Sequence, residues 1–266
     1  MSAFSNYTED KINDHVLTNT AFTKPATLHL SFHTGDPGES GTGSEVSGGS
    51  YARVAITNNN TNFPVCPSTG TPTKSNGQPF TFPTSTASWG TVTHWALYDD
   101  PTAGNMIAHG ALSTPRLVAS GKTMKIPAGG LTITLSNYTI GGMTDYTKRK
   151  VLDHVFGGPA YTPAASVYVG LGTALTGESI TEWSDTDYAR QACAFDASSG
   201  GVTQNAAAET FAASVADADV TLTHFGIWDD VSLGNLLYVG ALTASKAVAI
   251  GDSFSIPDGG LIINID

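Results

Sequence analysis

Two histidines and two aspartate pairs come closest in type and spacing to a chemical site. His29 and His33 lie four residues apart on a predicted strand, so both face one side, as two zinc ligands would. No third ligand accompanies them, which favours surface or packed histidines. Asp99–Asp100 and Asp229–Asp230 offer paired carboxylates for hydrolysis, but adjacent strand residues point to opposite faces. Because a Gly-Asn dipeptide follows each pair, we expect these aspartates to cap hairpin turns.

A histidine–aspartate relay is the next chemical candidate. Its residue types recur at Asp14, His15, His94, Asp153, His154 and His224. No G-x-S-x-G elbow accompanies them, and neither cysteine has a counterpart in the other half of the chain. Two cysteines also cannot build a disulfide framework or a zinc ribbon. The sequence therefore predicts no catalytic residue, no cofactor and no metal site, and we expect a protein that is not an enzyme.

Acidic loops and tryptophans leave two binding chemistries to weigh. The acidic loop residues match no EF-hand spacing, so solvated loops are favoured over a calcium site. Four tryptophans could form a platform for stacking sugars, although Trp95 and Trp228 alternate with apolar residues in the manner of core positions. A carbohydrate-binding module, or a depolymerase that uses exposed tryptophans and carboxylates, thus stays open as an alternative function.

A tandem repeat positions all of these residues. NYTEDKINDHV at 6–16 returns as DYTKRKVLDHV at 145–155, and THWALYDDPTAGN at 93–105 returns as THFGIWDDVSLGN at 223–235. YAR at 51–53 returns at 188–190, and IPAGGLTITL at 126–135 returns as IPDGGLIINI at 256–265. Because the order is preserved, the repeat indicates duplication of a whole domain. We predict that Tyr51 superposes on Tyr188, His94 on His224 and Gly130 on Gly260.

Each copy is predicted to begin with one helix and continue as short strands. Val151, Leu152, Val155 and Phe156 form a helical stripe, and Asn6 with Glu9 has the spacing of a capping box. From residue 26 onward the apolar period changes to two, and strands are predicted at 51–57, 79–83, 91–98, 105–113, 116–119, 123–126 and 131–135. The predicted fold is all-β: two tandem β-sandwich or jelly-roll-like domains, at 1–137 and 146–266, each preceded by one short α-helix and joined by a linker at 138–145.

Composition and charge limit the partners. The chain has 266 residues, a formal net charge of −11 and only 12 Lys and Arg, which disfavours nucleic acid and anionic membrane surfaces. No secretion signal or long apolar span is evident in the sequence, so we expect a soluble protein made in the cytosol without Sec export. The basic residues divide as 7 against 8 acidic residues in 1–140, and as 5 against 15 in 141–266. The nearly neutral first copy is therefore expected to face a partner, and the acidic second copy to face water.

Repeated side chains suggest structural anchors, and long loops suggest contacts with a partner. The expected anchors are Arg53, Arg190, Asp14, Asp153, His94 and His224, with each arginine paired to Asp14 or Asp153. The loops at 34–50 and 58–78 exceed the usual ~2 to 6 residues, so they are either contact arms or solvated excursions. The contact candidates in these loops are Asp36, Glu39, Glu45, Phe63 and Val65.

The order of these segments resembles a known family. DHVFGG-x-AYTP, VYVGL-x-T, DPGE-x-G-T-G-x-E-x-SGG-x-YAR, ASWGTVTHW, GAL and G-D-x-F-x-IP-x-GGL-x-I are similar to small virion structural proteins of tailed bacteriophages. These proteins are often called tail-fibre proteins, and related β-sandwich proteins decorate or cement capsids. The resemblance covers nearly the whole chain and implies neither a cofactor nor a catalytic residue.

The resemblance implies a structural component of a tailed-phage virion. We expect a capsid decoration, or cement, protein that bridges and stabilises coat subunits. The alternative is a tail or tail-fibre component, and a further alternative is a carbohydrate-binding or host-recognition module. The implied partners are other virion proteins, the major capsid protein first among them, and the chain is expected to be oligomeric on the virion. Its expected location is the virion, after synthesis in the bacterial cytoplasm.

Overall fold

Both copies of the repeat fold as antiparallel β-sheets with one helix. A computed structural model gives the structure of the protein and describes residues 2–135, 142–212 and 219–265. The predicted all-β class with two tandem domains is confirmed, and the sheets do not close into barrels. No helix among the described residues is long and apolar enough to cross a membrane.

The first copy holds one large sheet and two small ones. Its elements are β1 (Ser2–Phe4), α1 (Asn6–Leu17), β2 (Thr27–His33), β3 (Val54–Thr57), β4 (Thr73–Ser75), β5 (Phe80–Thr84), β6 (Gly90–Tyr98), β7 (Met106–Val118), β8 (Thr123–Ile126) and β9 (Thr132–Thr134). The large sheet has the order β1-β7-β6-β2-β3, while β4 pairs with β9 and β5 pairs with β8.

The second copy repeats this plan. Its elements are β10 (Gly142–Met143), α2 (Asp145–Val155), β11 (Val167–Thr176), β12 (Ser179–Glu182), β13 (Gln191–Cys193), β14 (Val202–Gln204), β15 (Glu209–Phe211), β16 (Val220–Trp228), β17 (Leu236–Val248), β18 (Phe254–Ile256) and β19 (Ile262–Asn264). Its large sheet has the order β10-β17-β16-β11-β12, with β13 also paired to β11. Two small sheets, β14–β19 and β15–β18, complete the copy.

Equivalent residues occupy equivalent places in the two copies. The hydroxyl groups of Tyr51 and Tyr188 each accept a hydrogen bond from a strand amide, 2.9 Å away in both copies. His94 pairs across the sheet with Ala111, and His224 pairs with Ala241. The amides of Gly130 and Gly260 both donate to a proline carbonyl three residues earlier. The sequence repeat is therefore also a structural repeat at these positions.

The helix caps lie one residue earlier than the capping-box spacing indicated. α1 begins at Asn6, and the Ser5 hydroxyl accepts the Thr8 amide at 3.3 Å, as an N-cap does. Thr144 caps α2 in the same way, accepting the Thr147 amide at 3.4 Å. The predicted apolar stripe of α2, Val151, Leu152, Val155 and Phe156, is fully buried.

The chain divides into two compact units that exchange the ends of their helices. Unit 1 contains Met1–Glu9, Thr23–Ser136 and Arg149–Tyr161, and unit 2 contains Asp10–Phe22, Asn137–Lys148 and Thr162–Asp266. All strands of a copy share one unit, but the end of α2 belongs with the strands of the first copy, and the end of α1 with those of the second. The units thus differ from the predicted ranges 1–137 and 146–266 in the two helix ends. These boundaries stay a prediction, and residues 136–141, which include part of the predicted linker, lie outside the described residues.

Candidate functional site

A buried arginine joins three parts of unit 1. The Arg53 guanidinium donates to both oxygens of Glu45, at 2.9 and 2.7 Å, and to the carbonyl oxygens of Asp100 and Ala103. Its side chain is only 7% exposed and lies over the Tyr98 ring, 3.6 Å from the centroid. Burial disfavours the charged form of Glu45, but the hydrogen bonds and charge of Arg53 outweigh it and lower the pKa of that carboxyl. We call this arrangement the arginine clamp.

Unit 2 holds the same clamp. Arg190 donates to both oxygens of Glu182 at 2.8 Å and to the carbonyl oxygens of Asp230 and Leu233. Trp228 takes the place of Tyr98, with its ring centroid 3.9 Å from the guanidinium carbon. In both clamps the glutamate precedes the arginine by eight residues, a repeated spacing that could have revealed the pair in the sequence. The clamp fixes a loop, a strand and a hairpin turn together through charge-assisted bonds.

The expected pairing of the arginines with Asp14 and Asp153 is wrong. The clamp glutamates satisfy both guanidinium groups, and the two aspartates bind loops instead. Asp14 accepts the Ser198 amide and Asp153 accepts the Cys66 amide, both at 2.8 Å. A carboxylate on a helix can satisfy a loop amide directly, because such loops lack the partners that a β-ladder gives.

The adjacent aspartates form turns, as the sequence indicates. Asp99 accepts the Asn105 amide at 2.7 Å, and Asp100 accepts the amides of Thr102 and Ala103. Asp229 and Asp230 repeat these bonds in unit 2. Gly104 and Gly234 have φ angles of 77° and 78°, where a side chain would be strained. The carboxylates are therefore committed to backbone amides in a hairpin turn.

The repeated histidines lie on the sheets. His94 and His224 each place Nδ1 beside the hydroxyl of the preceding threonine, at 2.8 and 2.7 Å. His33 is buried against Ser31 and the Gly43 carbonyl, while His29 pairs across the sheet with Tyr98. Within residues 2–135, 142–212 and 219–265, no three His, Cys, Asp or Glu side chains are grouped to hold a metal ion.

The loop at 34–50 is fastened to unit 1 through its acidic residues. Asp36 and Glu39 lie 3.4 and 3.1 Å from the two ring nitrogens of His109, and Glu45 belongs to the arginine clamp. The hydrogen bond from the Gly38 amide lowers the pKa of Asp36, and the charges of His109 and His94 lower it by a smaller amount. Among these three contact candidates, Asp36 is the most exposed, with 63% of its side chain accessible. A partner would therefore meet Asp36 before Glu39 or Glu45.

Phe63 is wrong as a partner-contact candidate, whereas Val65 is accessible. Phe63 is fully buried and packs against Phe80 and Phe156, with ring centroids 5.9 and 5.7 Å away. Phe63 is buried because the end of α2 brings the Phe156 ring against it, and the sequence assigned that ring to the other domain. Val65 is 51% exposed.

The loop at 58–78 is part of a receptor for the end of α2. Asn58 donates to the Val155 carbonyl at 2.8 Å, and the Lys74 ammonium contacts Asp153 at 2.6 Å. The Lys74 side chain is fully buried, and its burial lowers the pKa of this amine against the opposing effect of Asp153. Sequence reasoning missed Lys74, because a lysine in a Ser- and Thr-rich loop gives no sign of burial. We call residues 58–74 the receptor of unit 1.

The tryptophans and cysteines are also internal. Trp89, Trp95, Trp183 and Trp228 are at most 5% exposed, so the four rings offer no stacking platform for sugars. Both cysteines are free and buried, and burial raises the pKa of each thiol. A thiol with a raised pKa is a poor nucleophile at neutral pH.

Known proteins give a family for this arrangement. A family model described as podophage GP4 fiber I protein gp80 matches residues 3–134 and again residues 142–264. No curated protein matches the chain. The two matches follow the two sequence copies and together cover nearly all of the described residues. The chain belongs to the family of podophage GP4 fiber I protein gp80, of which it contains two tandem copies.

Proposed function

We propose that the chain is a structural component of a phage tail fibre and that it has no enzymatic activity. The observation that carries this proposal is the double match to a fibre-protein family. The site geometry supports it, because the side chains of the two arginine clamps and of the four turn aspartates are bonded to loops, turns and neighbouring strands. Such groups stabilise a fold and do not face a bound substrate.

Capsid decoration is the less favoured location. The family description names a fibre protein, and nothing in it points to a contact with coat subunits. A cement protein that binds the major capsid protein would label the whole head of the virion, and it is therefore an explicit outcome of the experiments below.

Charge supports a direction for the chain on the virion. Unit 1 contains 8 basic and 7 acidic residues, for a net charge of +1, whereas unit 2 contains 4 and 16, for −12. The exchanged helix ends sharpen the contrast, because the α2 end brings Arg149 and Lys150 to unit 1 and the α1 end brings Asp10 and Asp14 to unit 2. Desolvating a nearly neutral unit against another protein costs less than desolvating an acidic one. We propose that unit 1 contacts the next virion protein, with the exposed residues Asp36 and Val65 among its contact residues.

Reconstitution tests this function. Phage particles assembled without the chain should lack fibres and regain them when the purified chain is added. The variant Val65→Asp places a charge at a proposed contact residue, so it should bind these particles at least tenfold more weakly. Val231→Asp is the matched control on an exposed apolar residue of unit 2 and should bind normally. Normal fibres on particles without the chain would refute the proposal.

A further inference from the structure

Each unit has a receptor that holds the end of a helix from the other sequence copy. In unit 1, Phe156, the residue directly after α2, packs between Phe4 and Phe63, and Lys24 donates to the Gly158 carbonyl at 2.7 Å. Together with Lys74 and Asn58, these contacts replace what a helix of the same copy would supply. The receptor of unit 1 is thus complete only when α2 fills it.

The receptor of unit 2, residues 198–201, holds the end of α1. The amide of Gly201 and the hydroxyl of Ser198 donate to Oδ1 of Asp10, at 2.9 and 3.0 Å. Asn13 donates to the Gly201 carbonyl at 2.8 Å and accepts from the Tyr238 hydroxyl at 3.2 Å. Asp14 accepts the Ser198 amide, so three polar side chains of α1 form hydrogen bonds with this short loop.

The two helix ends carry opposite recognition groups. At the position of Asp10 in α1, α2 has Arg149, which donates to the carbonyl oxygens of Pro67 and Gly70. Arg149 in the receptor of unit 2 would face amide donors, and Asp10 in the receptor of unit 1 would face carbonyl acceptors. Either exchange would oppose like partial charges. Each receptor therefore selects one of the two helices.

We propose that this chain associates with a second copy of itself by exchanging these helix ends, with α1 of one copy filling the unit 2 receptor of the next. The contacts made are the same within a chain and between chains, so effective concentration and linker strain decide between them. Since each receptor takes only its own helix type, two copies that exchange α1 reciprocally form a closed pair, and an exchange that is not reciprocal adds further copies head-to-tail. The occupant is a second copy because it carries the matching Asp10, Asn13 and Asp14 set.

An engineered disulfide tests the exchange in the full chain. Asp10→Cys with Ser198→Cys joins α1 to its receptor, and the untreated chain should oxidise within one molecule, seen as the loss of two hydrogens in its intact mass. The reduced protein is then held at high concentration just below its unfolding temperature, cooled and oxidised. We expect species of twice the chain mass and larger by light scattering, with the disulfide now between chains on a non-reducing gel. Ser198→Cys alone is the matched control, and the covalent dimer that it gives by random pairing of thiols is the background that the double variant must exceed.

Three outcomes would overturn the proposal. The disulfide could fail to form in the untreated chain, which would contradict the receptor geometry. The chain could stay at single mass after the treatment, which would exclude exchange. Larger species could form while every disulfide stays within one chain, which would assign association to another surface. None of these results bears on the fibre assignment, which the virion experiments test separately.

Discussion

The two helix ends carry equivalent aspartates, Asp14 and Asp153, which have different physical tasks in the two units. In unit 2, Asp14 accepts the amide of Ser198 in the receptor loop. In unit 1, the equivalent Asp153 accepts the same kind of amide and also neutralises Lys74, whose side chain is completely buried. Equivalent residues of the two copies therefore contribute unequally to stability, because the environment of each sets the cost of losing it.

Asparagine substitutions at these two aspartates should lower the free energy of unfolding by unequal amounts. Asp153→Asn leaves the Lys74 charge buried without a counterion, so we expect a loss of about 3–5 kcal/mol in the free energy of unfolding. Asp14→Asn keeps an oxygen for the Ser198 amide and should lose only about 1 kcal/mol. Chemical denaturation of the full chain measures both. Equal losses would show that Lys74 is not held as described, and Lys74→Met combined with Asp153→Asn should recover part of the loss.

The second prediction concerns the arginine clamps, which have the same hydrogen bonds in both units. Arg53→Ala and Arg190→Ala should each lower the free energy of unfolding by about 2–4 kcal/mol, because a partly buried glutamate loses its partner and two carbonyl groups lose a donor. Thermal melting of both variants checks the equality.

Lysine substitutions sharpen this result. Arg53→Lys and Arg190→Lys should recover less than half of the lost stability, because an ammonium cannot make the paired bonds to Glu45 or Glu182. A large loss for only one of the two clamps would contradict the structural equivalence of the units.

The third and smallest prediction concerns pH. Burial, followed by the charge of Asp145, raises the pKa of Glu178 above its ordinary value. A carboxyl with a raised folded pKa binds its proton more tightly in the folded state, so stability falls as pH rises from about 4.3 through that folded pKa. Lowering the pH through that folded pKa should therefore increase the contribution of Glu178 to the stability of the folded state.

Glu178→Gln should weaken this pH dependence. Glu39 occupies the equivalent position of the first copy, so Glu39→Gln is the matched control and should leave the Glu178 contribution in place. Melting curves between pH 7 and 5 test both variants. An unchanged slope in Glu178→Gln would assign the pH dependence to other carboxyl groups.

Local patterns predicted the strands and turns because both depend on nearby residues. Apolar alternation located β2 and β6, and the Asp-Asp…Gly-Asn spacing located the hairpin turns. The candidates at 105–113 and 116–119 form one strand, β7, whose register shifts opposite Val92 and His94. The strand at Thr73–Ser75 was missed because its Ser- and Thr-rich sequence has no apolar alternation.

Long-range choices were beyond the sequence. Nothing in α1 or α2 shows which copy its end will join, because both helices present similar apolar faces. The recognition groups Asp10 and Arg149 are visible, but their meaning depends on whether a distant loop offers amides or carbonyls. The arginines were identified while their partners were not, since the choice between Glu45 and Asp14 is made by the folded loop.

Localisation of the chain on intact virions distinguishes a tail-fibre component from a capsid decoration protein. Particles labelled with an antibody against the exposed Leu233 turn of unit 2 would be imaged by electron microscopy. If the chain is a fibre component, the antibody should label the tail fibres and not the head. The label should disappear from virions that lack the chain. Uniform labelling over the head would contradict the fibre assignment and identify a capsid decoration protein.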